Sequence, residues 1–322
     1  MSEGPATGSS GHLRGGEAGA AWRPPSLVVQ VVLYETPLEA VRSQLEGVVR
    51  AATRARELGV VGPVSVAYGD SSDRPGLGPE VVAGLDTTAR AGGLVGAGYH
   101  FFAANLGSGG GSNRLAELYE SDLFLVLNPD ALPDTRLLVE LLAVLAGPTV
   151  GLCDGRQLPL EHPKAYDLGS GDTSWASGAC MGVRRSAFEA LGGFAADVFP
   201  MYCDDVDISW RARLAGWRVV HAPLALVFHD KRLGPDGRVV AAGTERYYSP
   251  YAGMLLARRW GRGDIADQVL AHLEATAAAD EVASRALGDW RAREAEGLLP
   301  EPIPGAEAAA EFVAGNYGPM RY

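Results

Sequence analysis

The sequence predicts an α/β fold in which helices pack on a central, mostly parallel β-sheet. Residues Leu27–Leu33 form an apolar run with one glutamine, the pattern of a strand covered on both faces. Apolar residues then recur at helical spacing from Leu38, and a second apolar run occupies residues 63–68. Strand, helix and strand in this order predict a βαβ unit with a right-handed crossover.

Local signals mark the ends of the first helix. Thr36 is predicted to be its N-cap, Pro37 its first residue, and Gly59 the residue that ends it. The elements predicted in the next part of the chain are a glycine-rich loop at 105–113, a short helix at 114–120, a strand at 123–127, a helix at 133–146 and a strand at 149–153.

From residue 154 the pattern is less regular. The predicted elements are a strand at 175–185 and helices at 186–191 and 205–215. Pro223 is expected to divide residues 217–229 into two short strands, because proline cannot donate to a strand ladder. After Thr244 the chain is predicted to be helical, with a Pro-, Ala-, Glu- and Gly-rich tail beyond residue 300.

The composition excludes several classes of protein. The chain has 322 residues and a net charge of −11, whereas a general nucleic-acid binder needs a basic surface. Its three cysteines include no CxxC pair and are expected to be reduced, buried thiols. Residues 1–25 predict a disordered tail without the apolar core of a signal peptide, and no apolar run is long enough to cross a bilayer. A cytoplasmic protein with at most peripheral membrane contact is expected.

Carboxylates lie beside apolar segments at two places. Asp130 follows a predicted strand, and Asp204, Asp205 and Asp207 open an amphipathic helix. A carboxylate placed against apolar surface costs free energy, so such groups usually serve a metal ion or a proton. Asp70 and Asp130 both follow strands, and ligands in open α/β sheets bind beyond the carboxyl ends of the strands. We therefore expect these two side chains in one crevice.

Four sequence blocks occur in an order that is typical of one enzyme family. The blocks are residues 105–113 (NLGSGGGSN), 127–130 (LNPD), 175–181 (WASGACM), and 192–194 (GGF) leading into 201–207 (MYCDDVD). Together they resemble the family 2 glycosyltransferases of the GT-A fold, especially the rhamnosyltransferase-like branch. The resemblance covers residues 27–232. It implies a Rossmann-like domain that transfers a sugar, with rhamnose as one candidate, from a nucleotide-diphosphate donor to a hydroxyl-bearing acceptor with inversion.

The resemblance also implies a divalent metal ion, Mg²⁺ or Mn²⁺, at Asp130. Asn128 to Asp130 match the family's DXD motif, in which only Asp130 offers a carboxylate here, and His229 matches a metal-binding histidine. The ion would bridge the diphosphate of the donor. The alternatives are an ordinary turn after a strand and a structural histidine.

Asp205 matches the second carboxylate of the family's Glu-Asp pair, which implies that it is the catalytic base. It would take the proton of the acceptor hydroxyl as that oxygen attacks the anomeric carbon. Asp204 replaces the glutamate and would help to place the acceptor. The alternative is that these carboxylates only cap the helix that follows.

Further residues are implied to contact the two substrates. Those on the donor side are Tyr34, Glu35, Asp70, Asn105, Gly107, Asn113 and Asn128. Those on the acceptor side are Ser177, Gly178, Ala179, Trp210 and Arg211. A flexible linker at 105–113 and close strand packing at 177–179 are the alternatives. The chain departs from the family at Glu35, where Asn or Asp is usual, and at Gly69-Asp70, where an Asp-Asn pair is usual. Donor identity is therefore left open.

The domain division follows from this resemblance. A glycosyltransferase domain is expected at 26–240, with a nucleotide-sugar half at 26–150 and an acceptor half at 151–240, then a helical region at 241–300 and a tail at 301–322. The helical region could cover the acceptor site, form a homodimer contact or touch a membrane surface.

Two other functions compete with this hypothesis. A sugar-phosphate nucleotidyltransferase should carry a basic, glycine-rich signature after the first strand, where this chain has Tyr34-Glu35-Thr36-Pro37. A non-catalytic nucleotide- or glycan-binding protein would not require Asp130, Asp204, Asp205 and His229 together.

Overall fold

The first part of the chain alternates strands and helices as predicted. The computed structural model describes residues 23–229 and 243–318, so the expectations for 1–22, 230–242 and 319–322 lie outside the described residues. The elements up to the fourth strand are β1 (Leu27–Leu33), α1 (Leu38–Glu57), β2 (Val64–Asp70), α2 (Pro79–Ala91), β3 (Gly96–Phe101), α3 (Gly107–Leu118) and β4 (Leu123–Leu127).

The remaining elements complete the sheet and then add three helices. They are β5 (Ala131–Pro133), α4 (Leu137–Leu145), β6 (Val150–Leu158), β7 (Cys180–Arg184), α5 (Arg185–Leu191), α6 (Asp204–Leu214), β8 (Arg218–His229), α7 (Gly243–Arg259), α8 (Gly263–Thr276) and α9 (Glu281–Ala295). A short 3-10 helix follows at Ala306–Ala308.

The strands form one sheet in the order β3-β2-β1-β4-β7-β6-β8-β5. The pairs β3-β2, β2-β1, β1-β4 and β6-β8 are parallel, whereas β7 and β5 run antiparallel to their neighbours. The prediction of a mostly parallel central sheet is confirmed. The parallel strands β1, β2 and β4 end at one edge, which places Asp70 and the turn after β4 at the same side of the molecule.

Helices cover both faces of this sheet. The apolar sides of α1, α2 and α4 pack with the strands in one core, and α3, α5 and α6 pack on the opposite face. The C-terminal helices form a further core, in which Trp210 of α6 is fully buried against Trp260 and Phe312. The helix that begins with the acidic residues is thus held between the sheet and the C-terminal helices.

The structure corrects the predicted loop at 105–113. Helix α3 already begins at Gly107, so most of this glycine-rich segment is helical. Glycine is needed because neighbours come very close: a Cβ on Gly107 would lie 1.8 Å from the carbonyl oxygen of Pro200, and one on Gly111 would lie 2.7 Å from Val32. Close packing outweighs the low helix propensity of glycine here.

Smaller differences concern element ends. Thr36 is not a cap: Pro37 is at the N-cap, and the Thr36 hydroxyl accepts from the backbone of Tyr34. Pro223 does not divide the last strand, because β8 runs on through an irregularity in its pairing with β6.

The segments predicted as tails are partly packed wherever the structure describes them. Arg23 forms an ion pair with Asp122, and Ala306, Ala309 and Tyr317 are buried in the C-terminal core. Across residues 23–229 and 243–318, none of the helices combines the length and apolarity needed to span a bilayer.

Candidate active site

A carboxylate and an imidazole face each other at the edge of the sheet. Asp130 lies in the turn between β4 and β5, and the antiparallel pairing of β5 with β8 sets Ala131 opposite His229. The Oδ1 atom of Asp130 is therefore 3.4 Å from Nε2 of His229. The side chain of Asp130 is 52% exposed, so its carboxylate is partly open to solvent.

Hydrogen bonds fix the orientation of His229. Its Nδ1 lies 2.8 Å from Oε1 of Gln157, whose amide nitrogen donates to the Ser177 hydroxyl. Because the amide oxygen of Gln157 accepts, Nδ1 carries a proton in either charge state of the ring. A protonated ring can then turn Nε2–H toward Asp130, whereas a neutral ring would offer the lone pair of Nε2 to a metal ion. The amide of Asn128 is 3.4 Å from the same Nε2.

Partial burial pushes the pKa of Asp130 upward, but the hydrogen bond and charge of His229 outweigh it, and the net pKa lies below its ordinary value. Asp130 is thus a carboxylate at neutral pH. The 3.4 Å separation is close to that of two neighbouring ligands of an octahedral ion, which is about 3 Å for ligands at 2.1 Å.

The chemistry of this pair fits a divalent metal ion. Among the residues that the structure describes, no group of three His, Cys, Asp or Glu side chains could hold a metal. A carboxylate and an imidazole are both ligands that a divalent ion accepts, and such ions commonly add substrate phosphates and water to one or two protein ligands.

Hydrogen bonds connect Asp130 and His229, here called the metal-side pair, to residues 177–179, which were predicted to contact the acceptor. Ser177 accepts from Gln157 (2.9 Å), and its own backbone N–H donates to the buried Asp154. The carbonyl of Ala179 accepts from the backbone N–H of Asn128 (3.0 Å). Residues 177–179 therefore form a short rigid bridge that starts beside the metal-side pair.

The same bridge reaches Asp205. The backbone N–H of Gly178 donates to Oδ2 of Asp205 at 2.9 Å, and a Cβ on Gly178 would lie 3.4 Å from that of Asp205. Asp205 stands in the first turn of α6 and is partly exposed. The structure thus brings Asp130, His229, Ser177, Gly178 and Asp205 into one hydrogen-bonded arrangement.

Asp204 has a different environment from Asp205. It is buried, and the hydroxyl of Ser108 on α3 donates to its Oδ2 (2.7 Å). Burial and the charge of Asp205 raise its pKa to about 7, while the hydrogen bond from Ser108 opposes this shift. Near neutral pH Asp204 is partly protonated, so it can keep one negative charge, rather than two, at the start of α6.

The alternative that the carboxylates only cap α6 does not account for Asp207. Cys203, with φ of 60°, is at the N-cap position and makes no side-chain cap. Asp207 instead accepts from Arg211 and Arg259 (2.8 Å each) and from the indole of Trp260 (3.1 Å). It joins α6 to the C-terminal helices.

Several predicted site residues are occupied elsewhere. Trp210 is fully buried in the C-terminal core, and Arg211 donates to the carbonyls of Leu191 and Gly193 as well as to Asp207. Asn113 is inside α3, where its amide donates to and accepts from the backbone of Phe194 (2.9 Å each). These three side chains hold the fold around the site, and the structure does not bring them to the metal-side pair.

Of the residues predicted to contact the nucleotide, Tyr34 and Glu35 are exposed, whereas Asp70 is buried and hydrogen-bonded within the protein. Tyr34 is 48% exposed, and Glu35 is exposed with φ of 48°. Asp70 is only 1% exposed and accepts from Ser72, Gly76 and Tyr99. Burial opposes ionisation of Asp70, but these hydrogen bonds dominate and lower its pKa. In this structure, then, Asp70 organises its own loop.

On α3 the donor-side predictions lie near Asp204. Asn105 is exposed, and its side chain accepts from the backbone of Gly107 (3.0 Å). Gly107, with φ of 67°, lets the carbonyl of Pro200 approach, and Ser108 then reaches Asp204. The segment therefore supports the acidic pair directly.

Sequence reasoning missed Gln157, Ser108 and the buried ion pair of Asp154 with Lys164. Asp154 and Gln157 follow the apolar strand predicted at 149–153, and polar residues in such a position could have marked them as candidates for a buried role. Their partners are distant in sequence, so only the folded chain reveals their roles.

Comparisons with known proteins agree with this geometry. The chain is 51% identical over 57 residues to the N-acetylglucosaminyl-diphospho-decaprenol L-rhamnosyltransferase of Mycobacterium tuberculosis, a match covering 18% of each chain. It is 33% identical over 131 residues to the pre-mycofactocin glycosyltransferase of the same organism, covering 35% of this chain and 27% of that protein. The chain thus spans less than a third of the length of these curated relatives. No protein-family model matches it.

Solved structures give the fold. A mannosyltransferase from Pyrobaculum calidifontis in complex with GDP-Man and Mn²⁺ matches 90% of this chain and 87% of its own (TM-score 0.52, 16% identity). GalNAc-T7 with UDP, GalNAc and Mn²⁺ matches 72% of this chain and 51% of its own (TM-score 0.55, 12% identity). The fold is that of the GT-A glycosyltransferases. The sequence matches, to a rhamnosyltransferase and to a glycosyltransferase, agree with the predicted resemblance to the rhamnosyltransferase-like branch of the family 2 glycosyltransferases.

Proposed function

We propose that this protein is an inverting, metal-dependent glycosyltransferase that moves a sugar from a nucleoside-diphosphate donor to a hydroxyl of an acceptor. One observation supports the proposal most directly. His229, which lies beside Asp130, is hydrogen-bonded to Gln157, and Gln157 is hydrogen-bonded to Ser177. The next residue, Gly178, donates its backbone N–H to Asp205. A leaving-group site and a base are thereby held in one arrangement, which is what transfer between two substrates requires.

Asp130 and His229 would hold the metal ion. When bound, it neutralises negative charge that develops on the leaving diphosphate. A carboxylate suits Mg²⁺ and Mn²⁺ alike, but an imidazole ligand is less suited to the harder Mg²⁺. We therefore propose Mn²⁺ as the preferred ion.

Asp205 would act as the base. Its carboxylate is oriented by the N–H of Gly178 and would accept the proton of the acceptor hydroxyl as that oxygen forms the new bond to the anomeric carbon. The donor's bond to its diphosphate breaks in the same displacement. Attack from the face opposite the leaving group inverts the anomeric configuration. Partly protonated Asp204 would hydrogen-bond the acceptor beside it.

The sugar and the compartment are finer parts of the proposal. The name of the 51% identical relative supports rhamnose as the transferred sugar and an acceptor linked to a lipid diphosphate. Cys153, Cys180 and Cys203 are buried and form no disulfide with one another, which supports a protein of the reducing cytoplasm, where we place the reaction.

Calorimetric titration of UDP, dTDP and GDP, with and without Mn²⁺, tests the donor site. We expect one nucleotide to bind tightly only with Mn²⁺, and Asp130→Ala to weaken that binding about 100-fold, since it removes one of two protein ligands. Asp267→Ala, which removes an exposed carboxylate on α8, is the matched control and should bind like the wild type.

Failure of every nucleotide to bind would overturn the proposal and favour a non-catalytic domain. Binding that is equal with and without Mn²⁺ would overturn its metal-dependent part. If a donor is identified, the anomeric configuration of the product, measured by NMR, decides between inversion and retention.

A further inference from the structure

Three consecutive backbone N–H groups, those of residues 176–178, lie beside the proposed base and donate to side chains. The acceptors are Oγ of Ser209 for Ala176 (3.0 Å), Oδ2 of Asp154 for Ser177 (2.8 Å) and Oδ2 of Asp205 for Gly178 (2.9 Å). Strand β7 begins only at Cys180, so these three N–H groups are not part of its ladder. Side chains therefore fix the backbone of this segment.

Two of the three acceptors belong to one helix. Ser209 and Asp205 are both on α6, and the hydroxyl of Ser209 donates to the carbonyl of Asp205 (2.6 Å). They attach the segment to α6. Asp154 is on β6, so it attaches the backbone of Ser177 to the sheet. The position of Gly178 relative to Asp205 thus depends on an anchor outside α6.

This anchor is a fully buried carboxylate. The ammonium of Lys164 donates to one oxygen of Asp154, and Nδ1 of His221 lies 2.9 Å from the other. The exposed fractions of the three side chains are 0% for Asp154, 1% for Lys164 and 2% for His221. Burial acts to raise the pKa of Asp154, but the charge of Lys164 and the hydrogen bond from His221 outweigh it and lower the pKa. Asp154 is therefore ionised at neutral pH.

Lys164 contacts the same segment at its first residue. Its Nζ donates to the carbonyl of Trp175 (3.1 Å) and lies 4.2 Å from the centre of the indole ring. A buried ion pair is a weak source of stability, because apolar residues of similar volume often stabilise a fold as well. It does provide a fixed, charged acceptor, and a hydrogen bond to such an acceptor is about twice as strong as one between neutral groups.

We propose that Asp154 and Lys164 are positioning residues for the base Asp205. Asp154 holds the N–H of Ser177, and the next N–H, that of Gly178, then points at the carboxylate of Asp205. Lys164 keeps Asp154 ionised and in place. This inference rests on the proposed function and adds to it two residues that act on the base through the backbone.

Paired substitutions test this role without leaving a buried charge unpaired. Asp154→Leu with Lys164→Met removes both charges and the acceptor of the Ser177 N–H. Asp154→Asn with Lys164→Met also removes both charges but keeps an oxygen that can accept that N–H. Asp122→Asn is the control for stability, because it weakens the ion pair with Arg23 at the start of β4, at the opposite end of that strand from Asp130.

Amide hydrogen exchange, followed by NMR on the full chain, measures the backbone directly. In the wild type the amides of Ser177 and Gly178 should exchange as slowly as those of β7. The leucine variant should exchange both about 10- to 100-fold faster, as expected when a hydrogen bond to a charged group is lost, while β1 and β2 stay protected. The asparagine variant should stay within about threefold of the wild type at Gly178.

Turnover shows whether this backbone order serves the base. The measurement is release of nucleoside diphosphate from UDP-N-acetylglucosamine, dTDP-rhamnose and GDP-mannose with Mn²⁺, with water as the acceptor. The leucine variant should lower kcat about 30-fold, because the base is misplaced, and should keep its nucleotide affinity within about threefold. The asparagine variant should recover kcat to within about fivefold of the wild type, and Asp122→Asn should leave it unchanged.

The outcomes separate this inference from the proposed function. Fast exchange at Gly178 in the wild type, or unchanged exchange or kcat in the leucine variant, would overturn the inference alone. Equal acceleration across β1, β6 and β7 would also overturn it, since the pair would then only stabilise the fold. A wild type that binds no nucleotide, or releases none from these donors, would contradict the proposed function and remove the inference with it.

Discussion

The ends of β2 and β4 each carry an aspartate at the same edge of the sheet, but the two carboxylates have different surroundings. Asp70, at the end of β2, is 1% exposed and accepts from two backbone N–H groups and from the hydroxyl of Tyr99. Asp130, after β4, has a side chain that is 52% exposed and lies 3.4 Å from His229. Position at a strand end is therefore not enough to make a carboxylate a ligand site.

The difference lies in how many lone pairs the fold leaves unused. The loop after β2 turns back on Asp70, so this carboxylate stabilises the loop and also helps to raise the pKa of Tyr99 to about 12, mainly through burial and then through their hydrogen bond. The turn after β4 leaves the side chain of Asp130 partly open to solvent. A carboxylate that is not saturated by its own chain is the one that can bind a metal ion.

The largest effect is expected at Asp205, which, like Asp130 and unlike Asp70, is partly exposed. Asp205→Asn should lower kcat about 1,000-fold, because the amide cannot accept the proton of the acceptor. Nucleotide affinity with Mn²⁺ should be unchanged. Release of nucleoside diphosphate at saturating donor measures the effect, with Asp267→Asn as the matched control. A loss of less than about tenfold would exclude Asp205 as the base.

Asp70→Asn should act on stability instead. The amide cannot accept all three hydrogen bonds, and we expect a loss of about 2 kcal/mol in the free energy of unfolding, measured with urea. The folded variant should bind nucleotide as the wild type does. A large loss of nucleotide affinity without a loss of stability would show that Asp70 is a donor ligand and would remove the contrast with Asp130.

A smaller effect is expected at Gln157, which orients the imidazole beside Asp130. Gln157→Leu removes the acceptor for Nδ1 of His229 and should weaken Mn²⁺ binding about tenfold. The ¹⁵N chemical shifts of His229 should show a loss of the Nδ1-protonated tautomer. Gln268→Leu, an exposed change on α8, is the control. Unchanged Mn²⁺ affinity and tautomer in Gln157→Leu would show that Gln157 only fills space.

The smallest effect concerns the pH dependence of stability at Asp204. Its folded-state pKa of about 7 exceeds the ordinary value of 3.8, so its contribution to stability is full below pH 4 and is lost as pH rises to about 7. Ser108→Ala removes the hydrogen bond that opposes this shift, so the loss should extend above pH 7. We expect the variant to be about 1 kcal/mol less stable at pH 8 and nearly unchanged at pH 4. Equal differences at both pH values would contradict a bond to the ionised carboxylate.

The sequence predicted those features that depend on local pattern. Strand ends can be recognised from apolar runs, which located Asp130 and His229 at the edge of the sheet. Their proximity additionally needs the pairing of β5 with β8, which joins residues about 100 apart. The role of Gln157 depends on a partner 72 residues away, and no local pattern encodes it.

Packing decided the features that local propensity got wrong. Eight of the nine residues in 105–113, among them four glycines, favour a loop by propensity, but the segment packs closely on Pro200 and Val32 and is helical from Gly107. The family resemblance implied substrate contacts for Asn113 and Arg211. In the structure both side chains form hydrogen bonds with backbone groups of the loop at Gly193 and Phe194.

The contacts of Asp207 have a consequence for how such proteins can be rearranged. Arg259, the last residue of α7, and Trp260, which follows it, supply two of its three side-chain partners, and Trp210 of α6 packs against Trp260. A chain shortened after β8 would leave Asp207 buried with Arg211 alone, and removing partners from a buried charge costs about 3–5 kcal/mol. The smallest unit that can be exchanged between relatives is therefore α6 together with its C-terminal helices, and a boundary drawn at the end of the sheet would divide it.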